Sequence, residues 1–306
     1  LLILALGGGA FYAGHWVART ELLVRHPPAD LRPVLPSAPS VLLRIDLNQP
    51  RSKALFAAAL KDEAAILREF ILNNLPYAGV LALTPRRDRE IVEVVFGMSM
   101  PRFAALLDAR ADTGLWRWWH FQEVDSARCE APGLWVARSH WRISPGAQSE
   151  AQRRWRGSDS PPVPLESEYP LSFVLDNRAG GAYLALETWL NPPPALGDLP
   201  ARASPAWNAE SIAAWMARLR TATGALDIQG SNAAEFRVTI VAASPEAAAS
   251  LAEDLRLMRE RLEARWAADD VKIRGDFAPA GDRIETTLRI DNIEKPFIRE
   301  WRLLGL

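Results

Sequence analysis

Apolar and polar positions divide the chain into one unbroken greasy run, two stretches of short alternating segments and the polar breaks between them. The greasy run is Leu1 to Ala18, which holds no Asp, Glu, Lys or Arg before Arg19. About 20 consecutive apolar residues span a bilayer, so residues 1–25 are read as a single transmembrane anchor. Tyr12 and Trp16 sit near one end of it, where interfacial aromatics belong. A cleaved signal peptide, with its typically shorter apolar region, and a buried helix are the competing readings.

Small residues crowd this run. Gly9 and Ala13, like Ala10 and Gly14, have the small-xxx-small spacing that lets transmembrane helices pack closely. The expectation is that Gly9, Ala10, Ala13 and Gly14 face other membrane helices. The same glycines do not make a dinucleotide fingerprint, because the third glycine of G-x-G-x-x-G would fall on Tyr12.

Beyond the anchor, five prolines between Pro27 and Pro39 suggest a stiff tether over 26–39. A first lobe over 40–144 opens on the branched run Val41–Leu47. A helical stripe follows from Ser52 to Asn73 (Leu55, Phe56, Leu60, Ile66, Leu67, Phe70, Ile71), broken near Lys61-Asp62. Strands are predicted at Gly79–Leu83 and Glu90–Phe96, then a helix capped by Ser99, then strands at Leu115–Val124 and Leu134–Ile143. A Ser/Pro/Arg/Glu-rich linker covers 145–169. The second lobe, 170–292, has a helix capped by Ser244 with Pro245 in its first turn, then strands at Val271–Phe277 and Ile284–Ile290. Residues 293–306 form an amphipathic tail.

The two lobes match at a shift of 145 residues, which sets Gly79 on Gly224, Glu90 on Glu235 and Ser99 on Ser244. Internal duplication is the natural reading. The order β-α-β-β-α-β with an extra strand predicts an α+β fold of two tandem ferredoxin-like (split βαβ) lobes, a superfold that specifies no chemistry.

The net charge of −1 gives no field that would draw the chain to nucleic acid. The lone Cys129 forms no internal disulfide. His15 and His26 fall in anchor and tether, and His120 and His140 lie on strands without metal-ligand spacing. No G-x-S-x-G, P-loop or H-E-x-x-H occurs. No catalytic residue, metal ligand or cofactor is therefore expected.

What remains suggests contact. Trp116, Trp118 and Trp119 crowd a predicted hairpin interleaved with arginine, Trp155 stands beside Arg153 and Arg154 in the linker, and Phe297 and Trp301 mark the tail. Tryptophan and arginine are enriched at binding hot spots, although alternating Trp and Arg also describes a half-buried strand. The sequence thus predicts a non-catalytic, single-pass accessory or scaffold subunit of a larger membrane protein complex. Its partners are other integral membrane subunits and membrane lipid, and its body lies on the periplasmic side of a bacterial inner membrane. Energy-transducing assemblies, such as a photosynthetic reaction centre with its antenna or a respiratory complex, are the kind of host envisaged. The alternative is an anchored extracytoplasmic module that binds a small ligand, lipid or cell-wall fragment.

Overall fold

The computed structural model describes residues 2–19, 23–86, 91–103, 124–143, 168–190 and 209–303. Helix α1 (Leu2–Val17) comes first. The first half then runs β1 (Val41–Ile45), α2 (Pro50–Ala59), α3 (Ala65–Asn74), β2 (Ala78–Arg86), β3 (Ile91–Ser99), β4 (Val124–Ala131) and β5 (Leu134–Arg142). The second half repeats the opening β-α-α-β-β of that order, as β6 (Leu171–Asp176), α4 (Gly181–Leu190), α5 (Ala209–Arg218), β7 (Leu219–Gln229) and β8 (Ala233–Ala242), and continues with α6 (Pro245–Arg265). It closes with β9 (Lys272–Arg274), β10 (Pro279–Ala280), β11 (Arg283–Asp291) and α7 (Glu294–Leu303).

The α+β class holds, but three parts of the expected architecture do not. The first is the anchor. Helix α1 has 16 residues and so rises about 24 Å, against a hydrocarbon core about 30 Å thick. Arg19, Thr20 and Glu21 end the apolar run, and among the described residues no helix is long and apolar enough to cross a membrane. The single-pass helix, and the inner-membrane and periplasmic placement built on it, are withdrawn.

The second correction concerns the lobes. The strands form one 11-stranded sheet in the order β10-β11-β8-β7-β6-β1-β2-β3-β5-β4, with β9 beside β11. β1 and β6, the first strands of the two halves, pair antiparallel from Val41 opposite Leu175 to Ile45 opposite Leu171. One apolar core runs under both halves, from Val41, Leu83, Val94 and Trp135 to Ile240, Leu251 and Ile284. The halves also exchange cover: α4 lies against β2 of the first half, and α2 against β7 of the second.

The third is topology. In a split βαβ unit the two strands joined by the crossover helix run parallel with a third strand between them, whereas here β1 and β2, like β6 and β7, are direct antiparallel neighbours. The predicted stripe of 52–73 breaks at residues 60–64 into α2 and α3. Two successive helices return the chain to the end it left, so β2 comes back antiparallel beside β1.

The repeat also has a different register. Leu81 faces Phe96 in the β2–β3 ladder. Their partners at the 145 shift are Leu226 and Val241, yet Leu226 faces Phe236 and Val241 faces Thr221. Matching the hairpin ends instead sets Arg86 on Gln229 and Ile91 on Ala233. Side chains alternate between faces along a strand, and the 145 shift turns β3 over. It sends Val94 of the core to Thr239, outside the core of buried and packed apolar residues, whereas the hairpin match sends it to Phe236, which packs on that core.

Other elements match the pattern in part. The predicted strand Leu115–Val124 lies outside the described residues apart from Val124; β5 pairs instead with β4 through a turn at Pro132-Gly133, which places Cys129 opposite Trp135 on a strand. Gly133 takes φ 76°, where a side chain would strike His26 and the Met100 carbonyl. Ser99 ends β3 and caps no described helix; its hydroxyl accepts from the Ala29 amide at 2.8 Å. Ser244 does cap α6, accepting from the Ala247 amide at 3.2 Å.

The face of the sheet away from the helices differs between halves. In the first half Leu31 and Val34, in the stretch expected as a tether, lie on Leu42, Val80, Ala82, Val95 and Val136. The His26 amide fixes this strap to the Pro101 carbonyl at 2.8 Å, and Tyr77 donates its hydroxyl to the His26 carbonyl at 2.9 Å. In the second half the residues alternating with the core are polar: Thr223 and Asp227 on β7, Glu235, Arg237 and Thr239 on β8, Glu285 and Arg289 on β11.

Gly224 faces Phe173 so closely that an added Cβ would overlap its ring, while at Gly79 the nearest atom, the Ile45 carbonyl oxygen, is 4.0 Å away. Gly224→Ala is expected to cost about 1–3 kcal/mol by overpacking. Gly79→Ala should stay within about 0.5 kcal/mol of the parent. Urea unfolding of the two variants measures the contrast.

Candidate functional site

The densest polar cluster lies at the seam between the halves. Arg51, in the first turn of α2, binds both carboxylate oxygens of Asp227 on β7 at 2.7 Å. Arg237 joins Glu235 at 2.7 Å and donates to the Tyr169 hydroxyl at 2.6 Å. Arg44 meets Asp46 at 3.4 Å, which also accepts from the Gln49 amide group at 3.2 Å. Each carboxylate in this cluster has a cation beside it. The arrangement ties strands and helices together and offers no free acid–base pair. Among the described residues no group of three or more His, Cys, Asp or Glu is placed to hold a metal ion.

The contact residues predicted from sequence scatter. Trp116, Trp118, Trp119, Arg153, Arg154 and Trp155 lie outside the described residues. Of the same hairpin, Trp135 and Trp141 are fully buried in the shared core, so that part of the tryptophan cluster is packing. Phe297 on α7 meets Phe56 on α2 edge-on at 5.2 Å, so the tail helix, which also carries Trp301, docks on the chain's own first half. Gly9, Ala10, Ala13 and Gly14 are exposed on α1, and no atom lies within 4 Å of a Cβ built on Gly9 or Gly14.

Exposed apolar residues, by contrast, concentrate in two stretches of the chain. Of the ten large hydrophobics exposed among the described residues, eight fall in them: Phe11, Tyr12, Trp16, Leu23 and Val24, and Ile66, Leu67 and Phe70. The chain that follows Leu23 and Val24 joins the body beside α3. Arg25 donates to the Tyr77 hydroxyl at 3.0 Å, just beyond α3. His26 is bound to Pro101, and two residues on Phe103 stands edge-on to Phe70 at 5.3 Å. Phe103 has φ 68°, a conformation that strains a bulky side chain.

Helix α3 has no buried residue. Its counterpart in the element order, α5, buries Ile212 and Met216 in the shared core and lies against α4 and α6. The same position is thus core in one half and surface in the other, where Ile66 is 86% exposed. Sequence reading placed Ile66, Leu67 and Phe70 in a buried stripe. The signal against it was present: Ile66, Leu67, Phe70, Ile71 and Leu72 cover more than half the circumference of a short helix, too wide an arc to bury on one side.

Cations border this surface. Lys53 on α2 is pushed below the ordinary lysine range, by burial first and by the nearby Arg25 charge second. Sequence reading did not link the two residues, because two cations 28 positions apart carry no local pattern.

Two outcomes follow. Ile66→Ser and Phe70→Ser should leave the melting temperature nearly unchanged, whereas Ile212→Ser, buried on the counterpart helix α5, should lower stability by about 3 kcal/mol; thermal unfolding separates them. A lysine whose folded-state pKa is lowered costs stability while protonated, and the cost fades as pH rises through that pKa. Lys53→Gln should therefore be at least as stable as the parent at neutral pH, with the gap closing in alkali, as read by urea unfolding at both pH values. In comparisons with known proteins no family model, curated protein or solved structure matches the chain, so its own geometry is the ground for a functional reading.

Proposed function

We propose that the chain is a non-catalytic accessory subunit that acts by contact, bracing a larger membrane-protein assembly, with the apolar end formed by Leu23, Val24 and α3 as its docking surface. The observation that carries this reading is the set of five exposed large hydrophobics at that end, three of them on a helix whose counterpart is buried. A folded chain leaves contiguous apolar surface of this kind uncovered mainly where something else covers it. The fused sheet supports the same reading. Two halves that share a core and exchange helices make a stiff body, suited to bracing neighbours and poorly suited to opening around a substrate. Complexes of membrane proteins, including energy-transducing ones, remain the class of host to test first, with the chain attached by surface contact.

Isolation of the chain from its native source followed by native mass spectrometry tests the reading. The expected particle contains the chain in fixed stoichiometry with other proteins, and Ile66→Ser combined with Phe70→Ser releases it. A chain that is recovered alone, before and after substitution, overturns the proposal.

A further inference from the structure

The apolar end also carries charge that the fold leaves unanswered. Lys53 stands in the first turn of α2, which contains no acid, and the positive end of a helix disfavours a cation there. Arg51 in the same turn is neutralised by Asp227. Lys53 has no carboxylate among the described residues. Arg25, whose charge reaches it, meets Tyr77, donating to its hydroxyl at 3.0 Å and lying 5.9 Å over its ring. Two neighbouring cations without a carboxylate partner among the described residues thus stand at the end that carries Leu23 and Val24, both exposed.

We infer that this end of the molecule rests on an anionic lipid surface without crossing it, with Leu23, Val24, Ile66, Leu67 and Phe70 entering the acyl boundary and Arg25 and Lys53 meeting headgroup charge. The inference rests on the reading of that end as a docking surface and names what it docks on. Charge points to lipid as the occupant: the cations stand beside an apolar ridge, helix α3, whose every residue is at least partly exposed. A bilayer accepts any convex apolar surface to a depth of about 5–10 Å, and cations beside it add attraction to anionic headgroups. Tyr12 and Trp16, both exposed on α1, are the residue types that settle at headgroup level.

Co-sedimentation of the full chain with vesicles of phosphatidylcholine, with and without phosphatidylglycerol, tests this. Binding is expected on the mixed vesicles and should weaken as salt rises. Lys53→Gln and Arg25→Gln should each lower it by about fivefold. Phe70→Ser should lower it by about tenfold or more, and Lys272→Gln, at a remote exposed lysine already beside Asp270, should leave it unchanged. Melting temperatures of the variants establish that they are folded. Absence of binding to mixed vesicles, or equal binding by the parent and Lys53→Gln, overturns the inference. A chain that ignores vesicles yet is isolated with stoichiometric protein partners defeats the lipid inference alone. Vesicle binding with no protein companion defeats the accessory-subunit reading alone.

Discussion

The antiparallel ladder between β1 and β6 holds the rest of the structure in place. Each half begins with one of these strands, and their pairing turns what would be two small sheets into one. A short five-residue strand such as β1 would be a weak edge by itself, with its amides and carbonyls open to a foreign strand. Paired to β6 on one side and β2 on the other, it becomes central and both of its edges are satisfied. Everything packed on the helix side then shares a single core. For that reason α4 of one half can lie over β2 of the other.

Fusion of this kind forces the two halves to differ where they do not need to agree. On the helix side both bury Val, Leu, Ile and Trp in one continuous core. On the opposite side the first half places Val80, Ala82 and Val95 under the strap of Leu31 and Val34, while the second presents threonines and paired charges to water. The strap is possible because Gly97 leaves room for it: a side chain there would press on Val80 at 3.1 Å and Val34 at 3.3 Å. The strap in turn fixes where the N-terminal segment leaves the body, at Arg25 and His26 beside Tyr77 and Pro101. So the location of the apolar end follows from packing on the far side of the sheet.

What the sequence made legible was local. The Ser244 cap with Pro245 behind it and the strands β2, β3 and β5 are each specified by residues within a few positions of one another, and each lies close to where it was expected. β6 went unread even though Leu171, Phe173 and Leu175 alternate with Ser172 and Val174, because the preceding polar stretch drew attention to a linker. Strand pairing between distant segments leaves no local signature, so neither the single sheet nor the correct repeat register could be read, and two shared glycines proved a weaker guide than the length of a hairpin loop. α1 was overread for a related reason. Composition tells how apolar a segment is, whereas crossing a bilayer also depends on where the helix stops. Of the contact residues chosen from sequence, Phe297 is used within the chain itself. Phe70 and Lys53, which border open surface, look in sequence like ordinary core and ordinary solvated charge.

That last failure bears on function. A binding surface that works by apolar contact is written in the same residues as a core, and only the fold distinguishes them. Here the internal repeat supplies the control: α5 shows what the third dimension does with such a helix when its partners are present, burying Ile212 and Met216, and α3 shows the same place in the order left bare. Burying a leucine- or phenylalanine-sized side chain is worth about 1.5–3 kcal/mol, so leaving Ile66, Leu67 and Phe70 in water forgoes a sizeable share of the 5–15 kcal/mol that typically separates folded from unfolded chains. Lys53, held beside Arg25 at the positive end of α2, is a further cost in the same place. Costs that gather at one end of an otherwise well-packed body are offset most simply by a partner that is both apolar and negatively charged.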